Sequence, residues 1–307
     1  MRRWIFGLLA LLGVQAHAFR TAVFPPELRS RVHYWSDVEA FPSLGPVWLH
    51  AGDSVASGWA TKSVLRERVA EAEAGELPVA GSFADMAKMV PSPRFPWYGG
   101  SEIGLGFLGA LDRIGGRPWN VVSSALAGAL LTPLAHEDAL SFLERLPRPQ
   151  DVKLVTFTYG HNDLCEALDP ATAELALRID RLKARFANAR WVAWRPIDVV
   201  AMRGAVLGRL EALPPSLGRD RVIAYCRQSW DVRNCSAVAK DAAAVTRNRE
   251  RLVGLLEEKF GELFTAENSV MDRLDVLDAV SSDCFHPSRL AQPLLSESLA
   301  DFVRPRL

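Results

Sequence analysis

Residues 152–194 read VKLVTFTYGHNDLCEALDPATAELALRIDRLKARFANARWVAW, and the fold is decided in this stretch. Val152 to Thr158 is a short run rich in β-branched and aromatic residues, the composition of a buried strand. From Ala171 to Phe186, Leu175, Leu177, Ile179, Leu182 and Phe186 recur near helical spacing with charged residues between them, which predicts a surface helix. Trp191 to Trp194 returns to strand composition. Strand, helix and strand in succession are the repeating unit of a parallel sheet covered by helices. Working outward, Val47 to Ala51 reads as the first strand and Val121 to Leu126 as part of the second, with a long helix over Val238 to Leu263 and a last one over Arg289 to Val303. The expectation is a single three-layer α/β/α domain over residues 46–307 with a mostly parallel sheet. Residues 19–45, with Pro25, Pro26 and Pro42, read as an irregular lead packed on it. Gly75 to Trp97, with Pro78, Pro91, Pro93 and Pro96, reads as loops and short helices shaping a binding mouth.

The chain has 307 residues, 49% of them apolar, enough to bury one sizeable core. Its 36 basic residues balance 36 acidic ones, and no basic block stands out, so the electrostatic footprint of a nucleic-acid binder is missing. A small molecule or a lipid is the better partner. Residues 1–18 read as a secretory signal peptide: Arg2 and Arg3 precede the apolar run Trp4 to Val14, and Ala16-His17-Ala18 offers small residues for cleavage. That run is too short for a stable span, and no later segment reaches about 18 uninterrupted apolar residues. A periplasmic or secreted protein is expected. In an oxidising compartment Cys165, Cys226, Cys235 and Cys284 favour disulfides, and of the three pairings Cys226 with Cys235 across a short loop is preferred, leaving Cys165 for Cys284. No paired His or Cys-x-x-Cys spacing points to a metal.

Four short motifs carry chemistry. Gly52-Asp53-Ser54 follows the first strand, so its hydroxyl would stand at a strand's carboxyl end, where open α/β sheets bind ligands. Gly128 follows the second strand, and a glycine lets its N–H approach a ligand closely. Gly160-His161-Asn162-Asp163 ends the third strand and supplies an amide donor of the kind that stabilises a developing oxyanion. Asp283-Cys284-Phe285-His286, expected between a strand and the final helix, places a carboxylate and an imidazole within reach across one turn. Each motif alone is a common turn; their convergence on one edge of one sheet is what singles them out.

In this order the motifs resemble the GDSL or SGNH hydrolase family, with its Gly-Asp-Ser, glycine, Gly-x-Asn-Asp and Asp-x-x-His blocks. The resemblance runs from about Val47 to the C-terminus. GHNDLC at Gly160 to Cys165 and DCFHPS at Asp283 to Ser288 are most similar to the phospholipase B-like branch. It implies a flavodoxin-like sheet and a secreted serine esterase or lipase acting on small-molecule or lipid esters. Ser54 would be the nucleophile, His286 the general base and Asp283 its orienting partner, with Ser54, Gly128 and Asn162 forming the oxyanion hole and no cofactor required. Val55 departs from the family's leucine, and His161 stands where a small residue is usual, so its imidazole would narrow the oxyanion site or add a hydrogen bond. His161, Trp59 and Trp97 are candidates to line the substrate site, as is Tyr98.

Gly104-x-Gly106-x-x-Gly109 matches a dinucleotide fingerprint but follows a proline-rich loop. An α/β-hydrolase elbow needs Gly-x-Ser-x-Gly, Ala56 occupies the last place, and only one expected strand precedes Ser54. A carbohydrate- or lipid-binding protein without turnover, or an acyltransferase using the same residues, remains compatible with the motifs.

Overall fold

The computed structural model describes residues 31–34, 45–55, 63–75, 102–125, 129–132 and 139–307. In chain order the strands are β1 (Val32–Tyr34), β2 (Val47–Gly52), β3 (Asn120–Ser123), β4 (Val152–Thr158) and β5 (Arg190–Ala193). The helices are α1 (Leu65–Glu73), α2 (Glu102–Gly115), α3 (Ala139–Arg145), α4 (His161–Cys165), α5 (Ala173–Arg185) and α6 (Val199–Glu211). They continue with α7 (Leu217–Gln228), α8 (Ser236–Phe260), α9 (Ala266–Met271), α10 (Val276–Ala279) and α11 (Ala291–Val303).

Among the described residues the five strands form one sheet in the order β1-β3-β2-β4-β5, and every pairing is parallel. Side chains alternate across a strand, which separates the core into two layers. Trp48, Val121, Leu154 and Val192 face one side with residues of α2, α9 and α11. Leu49, Val122, Val155 and Phe157 face the other with residues of α3, α5 and α8. The result is the three-layer α/β/α arrangement that the strand–helix alternation predicts. The chain leaves β2 for β3 on one side, whereas β4 and β5 continue on the other. This reversal opens a crevice between the carboxyl ends of β2 and β4, the place where open parallel sheets bind ligands.

The helix expected over Ala171 to Phe186 is α5, begun by Thr172, whose hydroxyl accepts from the N–H of Leu175 at 3.2 Å. Leu175, Ile179 and Leu182 are buried, but Leu177 is 60% exposed because two residues on from Leu175 is the opposite helix face. Arg178 turns inward instead and bonds Glu144 at 3.2 Å. The long helix begins at Ser236, two residues before the expected start, and ends at Phe260. It is kinked at Asp241, which leaves helical geometry and caps the following turn by accepting from the N–H of Ala244 at 2.9 Å. Where α7 crosses α1, Gly218 is required: a Cβ there would come within 2.6 Å of the backbone nitrogen of Glu73.

Two expectations are corrected. The stretch before Pro46 is not wholly irregular, since Val32–Tyr34 pairs with β3 at the sheet edge; among the described residues two strands, not one, precede Ser54. Such a short edge strand has too few residues for its alternation to stand out among prolines. No strand leads into Asp283 either. Helix α10 does, followed by a single antiparallel bridge between Val280 and Pro287 that closes the loop on itself. Gly104, Gly106 and Gly109 all fall inside α2, so they form no strand-to-helix phosphate loop. Residues 1–18, Trp59, Trp97, Tyr98 and Gly128 lie outside the described residues. No described helix is long and apolar enough to cross a membrane.

Candidate active site

The end of β2 runs directly into the serine motif. The N–H of Asp53 still bonds the Thr158 carbonyl of β4 at 2.8 Å, extending the ladder by one step, and the chain then turns. The Asp53 carboxylate holds that turn by accepting from the N–H of Val55 at 3.0 Å. Ser54 therefore stands at the tip of a tight bend, anchored on both sides, and is only 6% exposed.

The end of β4 is shaped by Gly160, whose φ of +108° lies in the left-handed region and where a Cβ would meet Leu252 at 2.4 Å. That bend starts α4 and brings His161, Asn162 and Asp163 under the β2 turn. The amide of Asn162 donates to the Ala129 carbonyl at 3.0 Å, so it lies against the residue that follows Gly128. Asp163 braces the same loop, accepting from the N–H groups of Leu131 and Thr132 at 3.0 and 2.8 Å and from the Thr132 hydroxyl at 2.6 Å. Burial pushes its carboxyl up from the ordinary carboxylate range, against these bonds. His161 faces inward, and its Nδ1 is 2.8 Å from Asp53. It thus ties the turn carrying Ser54 to the turn carrying Asn162, a role that could not be read from sequence because its partner follows the neighbouring strand, 108 positions away in the chain.

The third segment comes from the loop between α10 and α11. Asp283 organises it locally: one carboxylate oxygen accepts from the Ser281 hydroxyl at 2.6 Å and from the N–H groups of Phe285 and His286, each at 3.0 Å. The other oxygen is 2.6 Å from Nδ1 of His286. Nε2 of His286 is 2.9 Å from the hydroxyl oxygen of Ser54, 232 positions away in the chain. With its proton on Nδ1 and donated to Asp283, the imidazole presents Nε2 as an acceptor for the Ser54 hydroxyl. Burial opposes the charge on Asp283, but the charge and hydrogen bond of His286, with the Ser281 and backbone donors, outweigh it and hold the carboxyl at about 2. Ser281, which sequence reasoning missed, is thus part of the same network; nothing in a Ser-Ser pair before an aspartate marks it.

The cysteines pair otherwise than expected. Cys165 is bonded to Cys235 and Cys226 to Cys284, with S–S distances of 2.07 and 2.04 Å. The segment from Cys226 to Cys235 is no short loop: α7 runs on into a π-helical turn over Ser229–Asn234. At about 1.5 Å of rise per residue, that helical path carries the two cysteines beyond the Cα separation of about 7 Å that a bridge tolerates. Both bridges instead run from this one segment to the site. One reaches Cys165, three residues after Asn162, and the other reaches Cys284, between Asp283 and His286; Ser229 adds a hydrogen bond to the Asp283 carbonyl at 2.8 Å. Removing the second bridge in the Cys226→Ala/Cys284→Ala protein is expected to lower stability by about 2–5 kcal/mol, read from denaturant midpoints. Non-reducing peptide mapping of the unaltered protein checks the pairing, and a peptide joining Cys226 to Cys235 would refute it.

Of the residues singled out in the sequence, the structure brings together Ser54, His161, Asn162, Asp283 and His286 at the β2–β4 crevice. No protein-family model and no curated protein matches the chain. Among solved structures it is similar to the lipase/acylhydrolase from Enterococcus faecalis, at 11% identity and a TM-score of 0.45, over 86% of this chain and 97% of that one. A second solved structure is matched at 14% identity and a TM-score of 0.48, over 86% of this chain and 99% of its own.

Proposed function

We propose that this chain is a serine hydrolase that cleaves carboxylic esters through an acyl-enzyme on Ser54. The observation that carries the reading is the unbroken line of hydrogen bonds from Ser54 through His286 to Asp283, at 2.9 and 2.6 Å. His286 accepts the Ser54 proton as the oxygen attacks the ester carbonyl, then returns it to the departing alcohol; Asp283 keeps the imidazole oriented and stabilises its charged form. Water, activated by the same imidazole, releases the acid.

The negative oxygen of the tetrahedral intermediate would be met by the N–H of Ser54, the N–H of Gly128 and the amide of Asn162. An amide nitrogen carries two hydrogens, so the bond from Asn162 to Ala129 leaves one for the ligand. Asp53 and His161 set the distance between the two turns. The order of the motifs supports a GDSL-type enzyme, and the strings GHNDLC at Gly160 to Cys165 and DCFHPS at Asp283 to Ser288 support the phospholipase B-like branch. The two disulfides support export into an oxidising compartment, with residues 1–18 as the leader.

The test is covalent. A fluorophosphonate probe should label the protein once, on the peptide containing Ser54, and label should be absent from the His286→Ala protein, which lacks the base. Label on another serine, or none on the active wild type, rejects the assignment.

A further inference from the structure

The loop that carries Asp283 and His286 turns on a residue between them. Cys284 has a φ of +68°, in the left-handed region that is costly for a residue with a Cβ and that glycine ordinarily fills. It is fully buried, and its sulfur is bonded to Cys226, equally buried in the last turn of α7. We infer that the Cys226–Cys284 bridge is a positioning element for catalysis: it holds Cys284 in this conformation, so that the chain is largely inactive as a dithiol and gains turnover when the bridge closes. The inference rests on His286 being the base for Ser54.

Geometry is the first support. The path of the chain at Cys284 aims the N–H groups of Phe285 and His286 back at the Asp283 carboxylate, at 3.0 Å each, and returns the His286 carbonyl to the N–H of Ser281 at 2.8 Å. Relaxation of Cys284 to negative φ rotates the peptide groups beside it, withdraws those donors from Asp283 and carries Nε2 of His286 off the Ser54 hydroxyl, which it meets at 2.9 Å. A misplacement of about 1 Å at reacting atoms can cost about 100-fold in rate.

The placement of the anchors is the second. Ser282, ahead of Cys284, is tied to the Ser63 hydroxyl at 2.7 Å. Asp283, Cys284 and Phe285 lean instead on the segment that begins at Cys226. Ser229 donates to the Asp283 carbonyl at 2.8 Å, the rings of Trp230 and Phe285 stand 4.9 Å apart, and Cys226 supplies the covalent link. Of these three contacts only the bridge acts on residue 284 itself. Closing it joins two thiols: both protons and two electrons pass to an acceptor disulfide such as oxidised glutathione, which leaves as two thiols. An oxidising compartment supplies acceptors of this class.

The test reads kcat and KM for p-nitrophenyl acetate beside far-ultraviolet circular dichroism on the same samples. Cys226→Ala/Cys284→Ala should stay helical and lose about 10- to 100-fold in kcat, with KM within about 2-fold. Cys226→Ala/Cys284→Gly restores a residue at ease with positive φ but not the bridge, and should exceed the alanine variant in kcat by about 5-fold or more. Wild type in dithiothreitol should lose turnover while its helical signal persists, in step with the opening of Cys226–Cys284 followed by thiol alkylation and peptide mapping, and regain it in oxidised glutathione. Wild-type kcat in a folded protein with the bridge open, or equal kcat in the alanine and glycine variants, overturns the proposal. So does the loss of turnover and helical signal together in every form, which leaves the bridge a stability element alone. These outcomes leave the Ser54 reading standing; a wild type that turns over no ester and takes no fluorophosphonate rejects that reading and this inference with it.

Discussion

Ser54→Ala leaves a folded protein whose kcat for esters is lower by about 10⁴- to 10⁶-fold, the size of loss seen when a nucleophile is removed from a unit that works only as a whole. The fold should survive because the turn that carries Ser54 is held by other groups. Its turn is held by Asp53, through the Val55 N–H and the bond from Asp53 to β4, and these contacts use the backbone and the Asp53 carboxylate alone. Loss of turnover with an unchanged melting transition separates chemistry from stability. Measured in parallel on purified wild type and variant, equal turnover would show that the reaction is carried elsewhere.

Asp283→Asn is expected to lower kcat by about 10⁴-fold with little change in KM. An asparagine keeps one oxygen in place, able to accept from Ser281, Phe285 and His286 as the aspartate does, so the loop retains its shape. Facing Nδ1 of His286, however, it presents an N–H. The imidazole must then accept at Nδ1 and carry its proton on Nε2, toward Ser54, where it is no longer a base. The same substitution has a stability signature. Asp283 is held at about 2 in the folded protein, below the ordinary value of about 3.9. Its ionised form therefore contributes stability above about pH 5, and this contribution fades as the pH falls through about 2. Wild type should lose about 2–3 kcal/mol across that window that Asp283→Asn does not lose, a difference measurable by chemical denaturation at several pH values. Identical acid limbs in the two proteins would place the origin in other carboxylates.

How much of this could be read from residues alone varies with the range of the interaction. Val152 to Thr158 is recognisable as a strand because its composition and length are local properties, and the structure ends β4 at the same residues. Leu177 misleads because it is apolar and mid-helix, yet its angle about the helix axis points it to solvent. Asp283 and His286 are legible as a pair since three residues suffice for a side chain to reach across one turn. The strand expected before them is absent because Val276–Ala279 takes helical form, begun by Asp275, whose carboxylate accepts from the Leu277 N–H at 2.9 Å.

The sequence by itself determined the alternation of strands and helices and the chemical identity of the groups at the strand ends, because periodicity and short motifs are set by neighbours along the chain. Only the tertiary structure decided which cysteines meet, that Val32–Tyr34 joins the sheet edge, and that His161 grips Asp53. Each of these depends on segments distant in sequence arriving at one place. Four cysteines admit three pairings with the same local surroundings, and the choice falls to the helical path from Cys226 to Cys235, which keeps those two apart and turns each toward a different loop of the site.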